Sequence, residues 1–346
     1  MRAMPLTAHH PAETHPLTLS ERNIPHPTRG ELLLRVILCG VCHTDLHTLE
    51  GDIHPPKLPV VPGHQVVGVV EEMGEPLPGG TGVPHYERLK VGDRVGVPWL
   101  YSACGTCEFC LRGLENLCPN AKFTGFHVDG GYADYMIADA RYALPLPDAI
   151  SDEQAAPLLC AGIVGYRSLK LADIQPGERV GLAGFGASAH LCLQVLNHWG
   201  CDAFVFTRSA GHRAHARELG AVWAGAVEDN GDAGETPGVA LDRIVVFAPV
   251  GALVPVMLEK LRPGGTLALN AIHMSPIPEF PYHLLWGERT VRSVANATRQ
   301  DGVEFLKLAA EIPIRATTTV YPLERANEAL LDMKHSRING EAVLMM

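Results

Sequence analysis

The sequence of 346 residues contains no apolar run approaching the roughly 18 residues that indicate a membrane-spanning helix. It also lacks an excess of basic residues, with 28 Lys and Arg against 38 Asp and Glu and a formal net charge of −10. Nucleic acids and anionic membranes favour basic surfaces, so this composition argues against both as partners. Residues 1–15 lack the basic and apolar stretches of a secretory signal. We therefore expect a cytoplasmic protein.

The nine cysteines are an odd number, which argues against a disulfide framework in a chain without an export signal. They are distributed unevenly, in three groups along the sequence: Cys39 and Cys42; Cys104, Cys107, Cys110 and Cys118; and Cys160, Cys192 and Cys201. Clustering of this kind indicates metal binding.

The length of the chain predicts two domains, and the pattern of apolar residues along the sequence changes once. From Glu31 to about Pro147, short apolar runs are broken by Gly and Pro, which predicts a mostly β domain with an exposed loop over Gly74–Lys90. After Ser151, predicted strands alternate with predicted helices. The predicted strands are 179–183, 203–206, 243–247 and 266–270, and the predicted helices are 187–199, a segment ending at 219, and 253–261. This alternation predicts the α/β class, with a doubly wound parallel sheet.

The run Gly184-Phe185-Gly186-Ala187-Ser188-Ala189 follows a predicted strand and opens a predicted helix. Gly184 permits a tight turn, Gly186 lets a pyrophosphate approach the backbone, and Ala189 allows close packing of strand and helix. The helix N-terminus at Ala187 favours phosphate charge. Glycine-rich turns are also common without a ligand, but the strand–loop–helix context favours a dinucleotide site.

The end of the second strand of this domain lacks the acidic residue that typically binds the ribose hydroxyls of NAD. Thr207, Arg208 and Ser209 occupy this segment instead, and Arg213 follows in the next helix. Hydroxyl and guanidinium groups suit the 2′-phosphate of NADP. The alternative is that both arginines are solvated charges at the start of a helix. We favour NADP(H), mainly because the acid is missing, with NAD(H) as the alternative.

The pattern Cys104-x2-Cys107-x2-Cys110-x7-Cys118 contains four thiols and is typical of a closed, tetrahedral, structural zinc site. An iron–sulfur cluster is a rival, because Cys118-Pro119 resembles the end of the ferredoxin pattern. That pattern has three residues before its last cysteine rather than seven, which disfavours the rival. Buried cysteines without metal are a third and weaker alternative.

A second group of candidate ligands, Cys42, His64 and Cys160, is dispersed along the chain. Spacing alone does not bring these residues together. Cys39 and Cys42 could equally be a redox pair, and an isolated histidine such as His64 is more often a hydrogen-bonded core residue than a ligand.

Seven ordered motifs extend over nearly the whole chain: Gly40-Val-Cys-His-Thr-Asp-Leu-His47, Pro62-Gly-His-Gln65, Gly92-Asp-Arg-Val95, the four-cysteine segment, Gly130-Gly-Tyr-Ala133, Cys160-Ala-Gly162 and the nucleotide loop. Together they resemble the zinc-dependent medium-chain alcohol dehydrogenases, especially yeast-like and bacterial members. The resemblance implies a GroES-like catalytic domain over 1–152 and 297–346, with a structural zinc lobe at about 98–120. It implies an inserted Rossmann domain over 153–296.

The resemblance also implies two zinc ions per chain, one structural and one catalytic. Cys42, His64 and Cys160 would hold the catalytic zinc and leave a fourth position for water or substrate, and this ligand set is chemically suitable. Zinc there would lower the pKa of a bound hydroxyl and so promote hydride transfer to the nicotinamide.

Four residues of the first motif receive roles by the same resemblance. Thr44 and His47 would relay the proton, together with the nicotinamide ribose. Asp45 would orient His64, and His43 would lie near the cofactor pyrophosphate. The alternative for Thr44 and His47 is a helix cap and a surface histidine.

Some positions depart from the family pattern. Gln65 stands where a glutamate is usual, and Glu341 stands where yeast-like members often have an arginine near the pyrophosphate, which predicts weaker dinucleotide binding. Trp99 matches a bulky residue of the substrate pocket, whereas Leu49 and Ile53 replace aromatic residues. We therefore expect a roomier pocket that admits longer or aromatic alcohols and aldehydes.

The leading hypothesis is an alcohol dehydrogenase that transfers hydride reversibly between a primary or simple secondary alcohol and NAD(P)+. One alternative is an NADPH-preferring reductase of larger or aromatic aldehydes, similar to the cinnamyl-type branch. Another is a catalytically weak protein that binds zinc and dinucleotide. This alternative stays open because Gln65 and Glu341 depart from the family pattern. The family resemblance suggests a homodimer or homotetramer.

Overall fold

The computed structural model describes residues 1–77, 83, 86–227, 234–312, 314–338 and 340–346. The chain divides into two compact units. The first consists of Met1–Cys160, Thr298–Glu311 and Arg315–Met346, and the second of Ala161–Ala297 with Ile312–Ile314. The second unit is thus inserted into the sequence of the first. Within the described residues, every helix is too short or too polar to cross a membrane.

The strands are, in chain order, β1 (Arg2–Ala3), β2 (Ser20–Glu21), β3 (Glu31–Val41), β4 (Val66–Met73), β5 (Arg94–Val97), β6 (Leu100–Ser102), β7 (Lys122–Phe123), β8 (Tyr135–Asp139), β9 (Leu144–Pro145), β10 (Arg179–Ala183), β11 (Asp202–Phe206), β12 (Trp223–Gly225), β13 (Leu241–Val246), β14 (Leu261–Leu269), β15 (Thr290–Ser293), β16 (Thr318–Pro322) and β17 (Glu341–Met345).

The α-helices are α1 (His43–Glu50), α2 (Glu108–Leu111), α3 (Asp152–Pro157), α4 (Ile163–Leu171), α5 (Ala187–His198), α6 (Ala210–Glu218), α7 (Leu253–Lys260), α8 (Arg299–Glu311) and α9 (Ala326–Lys334). Short 3-10 helices are Ala12–Thr14, Tyr86–Arg88, Glu115–Leu117, Tyr282–Leu284 and Leu323–Arg325, and Leu158–Gly162 forms a π-helical turn.

The first unit is built on a sheet with strand order β16-β17-β3-β4-β5-β9, to which β8 adds by pairing with β3. All of these pairs are antiparallel except β16 with β17. The alternate residues Leu32, Leu34 and Val36 of β3 are at most 3% exposed and join the core of this unit. Helix α3 packs on β3, β4 and β17 and leads into the π-helical turn that carries Cys160.

The second unit contains a parallel sheet with strand order β12-β11-β10-β13-β14-β15. Val180 and Leu182 in β10 and Ile244 and Val246 in β13 are fully buried, as expected for a parallel sheet covered on both faces. This strand order is that of a doubly wound, Rossmann-type sheet. The predicted α/β class is confirmed.

Two segments differ in detail from the sequence-based expectation. Strand β14 begins at Leu261 rather than at 266, because a register irregularity in its pairing with β13 accommodates the Pro-Gly-Gly sequence. In the predicted loop Gly74–Lys90, Val83 and Leu89 are buried. Residues 78–82 and 84–85 of that loop lie outside the described residues.

Candidate metal centres

The four-cysteine lobe, Cys104–Cys118, brings its sulfur atoms together within one short segment. All four lie within 4.8 Å of one another. Cys104 Sγ lies 3.5 Å from Cys118 Sγ and 3.9 Å from Cys110 Sγ, and Cys107 Sγ lies 3.5 Å from Cys110 Sγ. Four sulfur donors at such spacing fit a tetrahedral ion with no vacant position.

Local backbone geometry explains why these cysteines converge. Cys107 is the residue before α2 and Cys110 lies within that helix, while Cys118 follows the 3-10 helix Glu115–Leu117. The backbone N–H of Cys107 donates to Cys104 Sγ at 3.3 Å. Backbone N–H groups of Thr106 and Cys107 lower the pKa of Cys104 to about 6, which favours the thiolate that binds a metal.

The second group of candidate ligands is assembled from three distant segments of the first unit. Cys42 follows β3, His64 precedes β4, and Cys160 lies in the π-helical turn after α3. Their ligand atoms lie within 4.8 Å of one another, and the two sulfur atoms are 4.0 Å apart. Cys42 faces Cys160, whereas Cys39 is fully buried among core residues. We call this group the three-residue centre.

His64 is fully buried, and its two ring nitrogens differ sharply in environment. Nδ1 lies 3.1 Å from Asp45 Oδ1, whereas Nε2 has no hydrogen-bond partner among the described residues. Burial disfavours the charged ring, but Asp45 and Cys42 outweigh burial and raise the pKa of His64 to about 10. A buried nitrogen without a partner, beside two sulfur atoms, fits a metal ligand.

Asp45 holds several parts of this centre together. Its carboxylate accepts hydrogen bonds from the backbone N–H of Cys42 and of Gly63, both at 3.0 Å, and from the hydroxyl of Tyr132 at 3.2 Å. With His64 it therefore has four partners while only 2% exposed. Tyr132 lies in the Gly130–Ala133 motif, and sequence reasoning gave it no role.

The two thiols of the centre have opposite tendencies. The hydrogen bond from Cys160 lowers the pKa of Cys42, and the same contact raises the pKa of Cys160. Cys42 is therefore the thiolate of the pair, and a cation bound between the two sulfur atoms would replace the shared proton.

The remaining residues of the first motif lie on α1. Thr44 Oγ1 lies 3.7 Å from Cys42 Sγ, and His47 is one turn further along the helix. His43 is exposed in the first turn. Sequence reasoning missed Asp52, whose Oδ2 lies 2.7 Å from His47 Nδ1. Gly51, at φ 83°, ends the helix and folds the chain back toward His47.

The candidate pocket residues fall in different environments. Trp99 lies edge-on to His64, with ring centroids 4.6 Å apart, and stacks on Phe123 at 5.2 Å. Phe126 completes this aromatic group at 5.7 Å from Trp99. Leu49 is 1% exposed within the core of the first unit, and Ile53 is half-buried.

In the second unit, the predicted nucleotide loop joins β10 to α5. Gly184 has φ 92°, and a Cβ there would lie 2.8 Å from the backbone nitrogen of Ala248. Gly186 precedes the first helical residue, Ala187, and Ala189 is fully buried. A side chain at position 184 would therefore clash with Ala248, whereas a Cβ at Gly186 would meet nothing within 4 Å, which leaves its backbone open to an approaching phosphate.

The turn after β11 contains the residues considered for the 2′-phosphate. Thr207 is buried, whereas Arg208 and Ser209 are exposed. Ser209 Oγ accepts a hydrogen bond from the backbone N–H of His212 at 3.2 Å and so caps α6. Arg213 donates to the carbonyls of Thr207 and Arg208 at 2.9 and 2.7 Å, which fixes the turn.

Comparison with known proteins gives consistent results along the chain. Residues 28–148 match the family model described as alcohol dehydrogenase GroES-like domain. A probable alcohol dehydrogenase of Mycobacterium tuberculosis is 46% identical over 337 residues, covering 97% of this chain and 94% of the relative. An alcohol dehydrogenase of Geobacillus stearothermophilus is 39% identical over 334 residues, covering 95% and 96%.

A solved cinnamyl alcohol dehydrogenase of Sorghum bicolor is similar in structure, with a TM-score of 0.87 at 27% identity. The alignment covers 99% of this chain and 97% of the other. The similarity therefore extends through both units.

Proposed function

Because the chain belongs to the zinc-dependent medium-chain alcohol dehydrogenase family, we propose that its three-residue centre is the catalytic zinc site of an NAD(P)-dependent alcohol dehydrogenase. The observation that carries the site assignment is the convergence of Cys42 Sγ, Cys160 Sγ and the buried, unpartnered Nε2 of His64. Three donors leave one position open, as a catalytic zinc requires. When bound, zinc supplies the Lewis acidity that lowers the pKa of an alcohol hydroxyl and polarises a carbonyl.

The residues of the first unit prepare the centre for this chemistry. Asp45 holds His64 Nδ1, which leaves Nε2 directed to the metal. The Trp99 ring packs against the His64 ring and excludes water from that side. The centre therefore combines fixed ligands with an apolar wall, which strengthens electrostatic interactions with a reacting oxygen.

The proton released from the alcohol leaves through α1. Thr44 Oγ1, 3.7 Å from Cys42 Sγ, would accept the proton of a substrate hydroxyl, and His47, further along α1, would be the final acceptor within the protein. Asp52 supports His47 by accepting a hydrogen bond from its Nδ1–H group, so that Nε2 of His47 serves as the base. His47 is partly exposed, with 21% of its side chain accessible, and can pass the proton to water.

The four-cysteine lobe holds a second, structural zinc in this proposal. Its four sulfur donors leave no position for substrate.

We assign the dinucleotide to the loop Gly184–Ala189, at the carboxyl ends of β10 and β11. NADP(H) is favoured over NAD(H) because the segment Thr207–Arg213 contains no carboxylate and places Arg208 and Ser209 at the surface. Arg208, at the surface, and Arg213, whose guanidinium donates to the carbonyls of this turn, are the candidates for the 2′-phosphate.

The aromatic group Trp99, Phe123 and Phe126 supports a second candidate activity, the NADPH-dependent reduction of larger or aromatic aldehydes. Stacked rings beside His64 offer an apolar surface to a planar substrate. Leu49 lies in the core, so of the two smaller residues only Ile53 remains available to widen the pocket.

One experiment tests both candidates. The zinc-quantified protein is assayed with ethanol, benzyl alcohol and cinnamaldehyde, each with NAD(H) and NADP(H), and kcat/KM is compared. A metal-loaded protein that turns over none of them contradicts the function. A strong preference for NAD contradicts the cofactor assignment, and Thr207→Asp is expected to shift preference toward NAD.

We propose further that the protein is a homo-oligomer, a dimer or tetramer. Strand β15 is the edge of the second unit's sheet, and the preceding segment exposes 69% of Tyr282 and 67% of Trp286. Light scattering of wild type and Trp286→Glu tests this.

The thiol-rich centres also suit a reducing compartment such as the cytoplasm, which fractionation of cells would test.

A further inference from the structure

The carboxylate of Glu341, the first residue of β17, is buried without a hydrogen bond of normal length in the described part of the chain, and the Gln65 amide is its polar neighbour. Only 4% of the residue is exposed, and neither carboxylate oxygen has a hydrogen-bond partner among the described residues. Gln65 is fully buried, and both polar atoms of its side-chain amide likewise have no partner in the described part of the chain. Buried polar groups are normally hydrogen-bonded, so two such groups together need a physical explanation.

Sheet register places both side chains beside the three-residue centre. In the antiparallel pair β17–β3, Ala342 lies opposite Val41 and Val343 opposite Gly40. Continuing this register by one residue beyond the paired segment would place Glu341 opposite Cys42. Since side chains alternate between faces along a strand, Glu341 and Cys42 point to the same face.

Gln65 reaches that face from the other neighbour of β3. The backbone N–H of Gly40 donates to the Gln65 carbonyl at 3.0 Å. A Cβ on Gly40 would collide with the Gln65 side chain, whose Cδ would lie only 2.8 Å away. Because Gly40 has no side chain, the Gln65 side chain can lie over β3 at that position.

Most ionisable groups around this space are acidic, and His64 is the basic group among them. Cys42, Cys160 and Asp45 can each carry a negative charge, and Asp45 already has four hydrogen-bond partners. Glu341 adds a carboxylate with none. Burial of an unpaired carboxylate is strongly unfavourable, whereas a dication among these groups would offset its charge.

We propose that Glu341 is a positioning residue for the catalytic metal, whose carboxylate faces the three-residue centre and strengthens its retention of zinc. This inference rests on the proposed function, since it takes the centre to bind zinc. Gln65 is neutral, whereas a glutamate at this position would place a second carboxylate beside that of Glu341.

The test measures zinc affinity in the full-length protein by competition with a chromophoric chelator, independently of activity. Cys160→Ala, which should retain only the lobe zinc, identifies which of two zinc ions is being measured. Glu341→Gln keeps the shape of the side chain and removes its charge. We expect the centre to bind zinc about 10- to 100-fold more weakly, with the lobe zinc unchanged.

Asp139→Asn is the matched control. Asp139 is also a buried acid of the first unit, but it pairs with Arg141 and lies opposite Glu31, at the other end of β3 from Cys42. Its substitution should leave the zinc affinity of the centre unchanged.

A second variant separates charge from packing. Adding Gln65→Glu to Glu341→Gln returns a carboxylate to the same face from the opposite strand, and zinc affinity should recover at least partly. If Glu341→Gln weakens zinc binding and the double variant does not recover, the effect is one of packing and the proposal is wrong.

The remaining outcomes are also decisive. Glu341→Gln with wild-type zinc affinity overturns the proposal and leaves the proposed function intact. Wild-type protein that binds no zinc at the centre contradicts the proposed function itself. If Glu341→Gln does not fold, Glu341→Asp replaces it. Because this variant keeps the negative charge, we expect a zinc affinity close to that of the wild type and a rise in Tm when zinc is added. Loss of both would overturn the proposal.

Discussion

The two metal centres of the first unit are built in opposite ways. The four-cysteine lobe comes from one continuous segment and lies near the surface, with three of its four cysteines half-buried. The three-residue centre joins residues 42, 64 and 160, and its histidine is fully buried. Under the proposed function, the difference means that a stabilising metal site can be local, whereas a catalytic site depends on the fold that brings its ligands together.

The supporting contacts differ in the same way. In the lobe, nearby backbone N–H groups donate directly to sulfur, as Cys107 and Asn120 do to Cys104 and Cys118. In the three-residue centre, a separate buried carboxylate, Asp45, links the ligand segments. We expect substitutions to affect the two centres independently.

The largest expected effect is that of Cys160→Ala. Removing a ligand of the three-residue centre should lower kcat at least about 1,000-fold, because the Lewis acid is lost, and should reduce bound zinc from two ions to one. Elemental analysis, steady-state kinetics and circular dichroism measure these changes. Cys201→Ala, a buried cysteine of the second unit, is the control and should retain both ions. Normal turnover in Cys160→Ala would contradict the catalytic assignment.

The next effect concerns the carboxylate behind His64. Asp45→Asn weakens the hold on His64 Nδ1 and should reduce zinc affinity at the three-residue centre by about 10- to 100-fold. Chelator competition measures it. Asp52→Asn is the control, because Asp52 contacts His47 rather than a ligand and should leave zinc affinity unchanged. Equal zinc affinity in wild type and Asp45→Asn would show that orientation of His64 does not matter.

Thiol reactivity in the metal-free protein should separate the two centres by pH. A thiol with a pKa of about 6, as in Cys104, is about nine-tenths thiolate at pH 7, whereas Cys160 remains protonated because its pKa is raised. Iodoacetamide should therefore modify Cys104 faster than Cys160, and the rate at Cys104 should fall as pH drops below about 6. Mass spectrometry of protein treated at pH 5 to 8 follows both sites. Faster modification of Cys160 would contradict this difference.

The smallest effect on turnover is expected in the lobe. Cys118→Ala should release the lobe zinc but leave the three-residue centre loaded, so kcat of fresh protein changes less than about threefold, while Tm falls by several degrees. Limited proteolysis should then cut within 104–118. Simultaneous loss of both zinc ions would show that the centres are coupled.

Sequence reasoning succeeded where the signal is local. The parallel sheet followed from alternating strand and helix patterns, and the strand–loop–helix placement of Gly184–Ala189 from one short run of residues; its binding of a dinucleotide stays a prediction. The spacing of Cys104 to Cys118 likewise needs only a short chain segment, and the structure places their sulfur atoms together. For Cys42, His64 and Cys160, spacing carried no information, and only family resemblance suggested the grouping.

The residues that sequence reasoning missed depend on long-range geometry. Asp52 contacts His47 only because Gly51 adopts a positive φ at the end of α1. Tyr132 reaches Asp45 across 87 residues. Glu341 was considered for its effect on the dinucleotide, yet strand register places it beside Cys42, and no local pattern encodes that register.

The position of β17 has a consequence for the order in which the protein is made. The three candidate ligands, Cys42, His64 and Cys160, all precede β17, the strand that pairs with Leu38–Val41 in the sheet beside them. Until it is synthesised, this part of β3 is an open edge that other strands could join. A nascent chain that extends past Cys160 but not yet through β17 therefore carries the three candidate ligands beside an unpaired strand edge.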